Sequence, residues 1–79
     1  MLNDCIRDEV KSHGNYIVDT RYVPFPMGRD DYETAVFKTD SKFNLLGKST
    51  KMIEEHHSAT QEEADRIHAE MINKYMKGV

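Results

Sequence analysis

Seventy-nine residues, 38% hydrophobic and 32% charged, make one domain over residues 1–79 with a thin core, since a chain this short buries only about 60% of the surface its unfolded form exposes. A small domain of this kind usually needs a disulfide, a metal or a partner subunit; the single Cys5 excludes an internal disulfide and suits a reducing, cytoplasmic setting. Fourteen acidic against eleven basic side chains, a net charge of −3, have the wrong sign for a general phosphate-backbone binder, and the low apolar content favours a homo-oligomer or a partner-bound form.

At the N-terminus Asn3, Asp4, Arg7, Asp8 and Glu9 interrupt any apolar stretch before it reaches membrane or targeting length. Leu2, Cys5, Ile6, Glu9 and Val10 fall at helical spacing, yet the segment is brief and equally suits a strand leading into the turn at His13-Gly14-Asn15. From Tyr16 the pattern is firmer. Tyr16, Val18, Thr20 and Tyr22 alternate with Ile17, Asp19, Arg21 and Val23, which predicts a strand ending at Pro24. Pro24, Pro26 and Gly28 impose a turn or an outward loop over residues 25–31. A second alternating run over 32–39 predicts the next strand, and Phe43, Leu45 and Leu46 lie in a mixed connector. Residues 50–59 read as a third strand. Glu54, Glu55, His56 and His57 make it polar on both faces, as an edge strand commonly is.

Thr60 and Glu63 stand at capping-box spacing ahead of a helical hydrophobic run. At about 100° per residue, Ala64, Ile67, His68, Met71, Ile72 and Tyr75 gather on one side, the side expected to face the sheet. Glu62, Arg66, Glu70, Asn73 and Lys77 take the other, with Glu62–Arg66 and Glu70–Lys74 at i,i+4 spacing. Gly78 ends the helix. The fold class expected is α+β: a three-stranded antiparallel sheet covered by one C-terminal helix, preceded by a short helix or an extra strand.

Histidine supplies the candidate chemistry, because His56, His57 and His68 flank one strand-to-helix connection. Four residues back along a strand cover roughly 13 Å and eight forward along a helix roughly 12 Å, so His68 lies level with His56 or His57 if the helix folds back. With Glu54, Glu55 or Asp65 these would make a two-histidine, one-carboxylate zinc site in a small hydrolase or nuclease. A histidine within an apolar stripe is more often hydrogen-bonded core, which is the expectation for His68, with no resident cofactor. Cys5 lacks the partner spacing of an activated nucleophile and reads as packing. Asp19, Arg21 and Glu33 suit cross-strand charge pairs on a solvent face. Lys38, Lys42, Lys48 and Lys51, separated by acids, make a poor nucleic-acid track.

Read together, Tyr16-Ile-Val-Asp-Thr-Arg-Tyr-Val23, Tyr32-Glu-Thr-Ala-Val-Phe37 and Ser58-Ala-Thr-Gln-Glu-Glu-Ala64 with His68 resemble a group of small uncharacterised proteins common in bacteriophage and prophage genomes. The likeness spans residues 16–72 and rests on patterns of the form "hETMVF" and "YxTxEEAxxxH". Asp19, Ala35 and His57 depart from it, standing where the group carries serine, methionine and an aromatic. The resemblance implies a phage setting and a strand, strand, strand, helix order, with no activity to carry over. The expected function is therefore non-enzymatic: an accessory protein that binds a host or phage protein and so modulates a host enzyme or defence system. The contact surface expected is the sheet edge at Lys51, Ile53, Glu55 and His57, or the loop carrying Phe25, Met27 and Arg29. Self-association through Tyr75, Met76, Val79 and residues 43–46 is a further alternative.

Overall fold

The structure is a computed structural model and describes residues 5–77. In chain order it contains β1 (Cys5–Lys11), β2 (Asn15–Val23), β3 (Asp31–Thr39), β4 (Lys51–Ser58) and α1 (Gln61–Met76). The strands form one antiparallel sheet in the order β1-β2-β3-β4, a simple meander. The expectation of three strands is thus corrected to four. Residues 5–11 had suited helix or strand equally; they pair with β2 from Cys5↔Arg21 to Lys11↔Asn15. The physical reason is burial. As a strand the segment turns Ile6, Asp8 and Val10 to one face, and Val10 enters the core. The helical stripe included Leu2, which lies outside the described residues, as do Gly78 and Val79.

Helix α1 covers the face built from Val10, Tyr16, Val18 and Val36, packing Ala64, Met71 and Tyr75 into it with Ile67 and Ile72 at the margin. This is the helical side expected from the periodicity. Thr60 is the N-cap, its hydroxyl accepting from the Glu63 amide at 3.2 Å. The exposed ion pairs differ from those expected. Arg66 reaches Glu70 at 2.6 Å and Glu63 at 3.7 Å, while Lys74 leaves the helix surface for Glu54 on β4 at 2.9 Å.

Among the described residues no helix covers the opposite face of the sheet, yet that face is not uniformly wet. Ile17 and Val18 are successive residues pointing to opposite faces, and each is 0% exposed. Ile17 lies between Glu9 and Phe37 in register, and the 40–50 connector is tied to this side by Arg7 donating to the Phe43 carbonyl at 3.1 Å. Between Val36 and Phe37 the β3–β4 register shifts, so that Ile53 is an extra residue between Glu54 and Met52.

Candidate functional site

Strand alternation separates the histidines. His56 pairs with Thr34 and His57 with Glu33 in register, so the two imidazoles occupy opposite faces of β4. His56 is on the helix side, its Nε2 at 2.9 Å from Glu54. His68 is there too but spends both ring nitrogens elsewhere: Nδ1 is 2.7 Å from Thr20 Oγ1 and Nε2 is 2.7 Å from Asp8 Oδ2. The expected convergence of His56 or His57 with His68 on one metal is not made among the described residues.

His68 instead completes a chain from Asp8 through the imidazole to Thr20 and on to Thr34, whose hydroxyl is 2.8 Å from that of Thr20. A carboxylate only accepts, so in the neutral ring Nε2–H donates to Asp8 and Nδ1 accepts from Thr20, which accepts from Thr34. The connectivity is that of an acid, an imidazole and a hydroxyl nucleophile. Burial decides against that chemistry. Thr20 is 3% exposed and Thr34 1%, so no substrate carbonyl reaches the hydroxyl. The chain satisfies polar groups under the helix, as expected for a histidine within the stripe.

A second, half-buried junction joins the helix to β4. Glu54 accepts from the Tyr75 hydroxyl at 2.6 Å, from Lys74 at 2.9 Å and from His56. The Tyr75 hydrogen bond, helped by those from Lys74 and His56, lowers the Glu54 carboxyl to about 2 against the opposing effect of burial. Burial and the facing Glu54 carboxylate push the Tyr75 hydroxyl up to about 12.

On the helix-free face a shallow depression of about 250 Å³ is lined by apolar Ala35, Phe37 and Met52 and by charged Asp19, Arg21, Glu33 and Glu55. Asp19 is only 4% exposed. It accepts from Arg21 at 3.0 Å and from the Cys5 thiol at 3.6 Å, so the expected charge pairing on this face runs along one strand. Cys5 is exposed and does not fill the core as expected. Burial of its sulfur and the adjacent Asp19 carboxylate raise its pKa, which disfavours the nucleophilic thiolate.

At the end of this face where β2 turns into β3, Asp31, Glu33 and His57 each present a ligand atom within 4.8 Å of the others. His57 Nδ1 is 3.1 Å from Asp31 Oδ2 and its Nε2 lies 3.8 Å from Glu55 Oε1. Asp31 Oδ1 is buried with no hydrogen-bond partner among the described residues, a condition that costs about 1–3 kcal/mol or more for a charged group. The local fold explains the placement. The Gly28 amide donates to the Pro24 carbonyl and the Asp30 amide to the Val23 carbonyl, both at 3.0 Å, and Asp30 takes a left-handed φ of 61°. Gly28 is required, because a Cβ there would stand 2.4 Å from Val23 Cγ1. The Tyr22 hydroxyl donates to Asp30 from beneath the turn. Sequence spacing missed Asp31 and Glu33 as ligands because His57 lies far along the chain; the β3–β4 register is the signal that joins them.

Of the contact residues expected, Lys51, Ile53 and Glu55 are exposed on β4, the strand at the sheet edge, and His57 is half-buried. Phe25, Met27 and Arg29 are exposed on the loop, Phe25 at 78% and Met27 at 86%. The His57–Asp31 contact joins the end of β4 to the base of that loop. For self-association, Met76 and Leu46 are exposed, whereas Tyr75 is buried in the monomer's own core. Among the described residues no helix is long and apolar enough to cross a membrane. No family model, curated protein or solved structure matches the chain.

Proposed function

We propose that this domain acts by binding another protein, a host or phage partner, as an accessory protein of the phage type its sequence resembles. The observation that carries the reading is the free edge of β4. Among the described residues it pairs with β3 on one side only, which leaves outward backbone groups able to receive an added strand. The bulge at Ile53 divides this edge. Beyond it the five residues from Glu54 to Ser58 keep a regular register with β3, while Met52 and Ile53 remain 52% and 44% exposed as apolar anchors. The sealed Thr20 hydroxyl and the protonated tendency of Cys5 add support for a role in binding over covalent catalysis.

The test is a photocrosslinking amino acid at position 53, with the same group at Arg66 on the outer helix face as control. Expected is one recurrent adduct from position 53 in host lysate, competed by unlabelled chain and lost with Ile53→Lys. Equal labelling from both positions, or adducts indifferent to Ile53→Lys, would remove the edge as the contact.

A further inference from the structure

We propose that Asp31, Glu33 and His57 form a site for one divalent transition-metal ion, with zinc the preferred occupant. The three donors come from neighbouring strands on the helix-free face. Glu33 and His57 are direct cross-strand partners, and Asp31 lies two residues before Glu33, so all three point the same way. Their ligand atoms lie within 4.8 Å of one another. Donors that close need side-chain shifts of less than about 1 Å each to meet a zinc ion at roughly 2.0–2.2 Å. Glu33 has the torsions to supply most of that movement.

Three further observations support the site. Asp31 Oδ1 is buried without a partner while Oδ2 faces His57, so the His57–Asp31 pair alone satisfies only half of the carboxylate. A cation held by both oxygens satisfies it all. Arg21, the cross-strand neighbour of Glu33, turns its guanidinium to Asp19 at 3.0 Å and leaves the Glu33 carboxylate to other company. Finally, with His57 Nδ1 on the metal side, Nε2 faces Glu55 Oε1 at 3.8 Å, where a small rotation closes the hydrogen bond that commonly orients a ligating imidazole.

The donor set names the class of ion. Two carboxylates and one imidazole suit zinc and its first-row neighbours, whereas magnesium prefers oxygen and retains its water. The ion would pin the base of the 24–30 loop to the edge strand. The site does not depend on the protein-binding reading, since its affinity is measured on the isolated chain.

The experiment is calorimetric titration of the untagged full chain with zinc chloride, and separately with magnesium chloride, alongside thermal melts. Expected is one zinc per chain and a rise in Tm on the order of 10 °C at a hundredfold excess over Kd, with no response to magnesium at the same concentration. Asp31→Asn and Glu33→Gln weaken zinc by about 100-fold or more, and Glu55→Gln by about tenfold. His13→Asn, which removes an exposed imidazole in the β1–β2 turn, leaves it unchanged. X-ray absorption of the zinc-loaded wild type shows one imidazole with oxygen donors and no sulfur. That spectrum and Glu33→Gln carry the test if Asp31→Asn fails to fold. Sub-stoichiometric zinc, a sulfur donor, or affinity indifferent to Glu33→Gln would overturn the site.

Discussion

The two faces of the sheet solve the same burial problem in different ways. Under α1, polar groups are satisfied in closed sets: Asp8, His68, Thr20 and Thr34 in one, and Glu54, Tyr75, Lys74 and His56 in the other. On the helix-free face Ile17 is as deeply buried as anything under the helix and Asp19 is 4% exposed, yet Cys5 and Arg21 are exposed and Asp31 Oδ1 has no partner among the described residues. A helix supplies donors and acceptors at regular intervals and can complete a network. A connector and charged side chains cover only what they reach, so unfinished valence collects on that side.

Ile17 and Val18 test this difference between the faces most directly, because they are adjacent and equally buried. Ile17→Ala is expected to cost about 3 kcal/mol, within the range for large-to-small core changes, and Val18→Ala about 2 kcal/mol. Urea denaturation measures both. A cost for Ile17→Ala well under that of Val18→Ala would mean that the helix-free face collapses around the missing methyls and holds no second core.

The Glu54 junction sharpens the other side. Glu54→Gln removes the charged acceptor of three donors and is expected to cost about 2 kcal/mol at neutral pH. The folded carboxyl is depressed from 4.5 to about 2, so its contribution is complete above 4.5 and fades as pH falls toward 2. The Tm gap between wild type and Glu54→Gln should narrow through that window. Tyr75 runs the opposite way: its folded pKa is raised from 10 to about 12, so its contribution holds below 10 and is lost as pH rises through 12. A gap that stays constant between pH 5 and 2 would show that the carboxylate contributes no linked stability.

The contrast also explains what the sequence disclosed. α1 was legible to its cap, because Thr60, Glu63 and the stripe from Ala64 to Tyr75 are local signals. Thr60→Ala is accordingly expected to cost about 1 kcal/mol in a thermal melt, a loss confined to the helix N-terminus. β2 and β3 were legible from alternation, and β4 from a run polar on both faces that suits an edge strand. β1 was not, because Ile6 and Val10, four residues apart, fit either period, and only pairing with β2 and the reach of Asp8 to His68 decide it. The polar partners of His68 were hidden for the same reason. The Asp31–Glu33–His57 group was hidden by register, which no spacing within a single strand reveals, and the separation of His56 from His57 followed from alternation that a linear reckoning of distance passes over.

The smallest expected effect reads the helix-free face from its one thiol. Cys5 is exposed, so access alone predicts alkylation as fast as that of a free cysteine. Its sulfur nevertheless sits 3.6 Å from the buried Asp19 carboxylate, and burial and that charge raise its pKa, outweighing the opposite pull of Arg21 and Arg7. Since the thiolate is the reacting form, iodoacetamide at pH 8 should label native Cys5 a few-fold more slowly than a small-molecule thiol, and the difference should vanish in denaturant. Arg21→Ala removes a cation that lowers the thiol and should slow labelling further. Native labelling faster than the free thiol would mean that the guanidinium of Arg21, and not the carboxylate of Asp19, governs this side of the sheet.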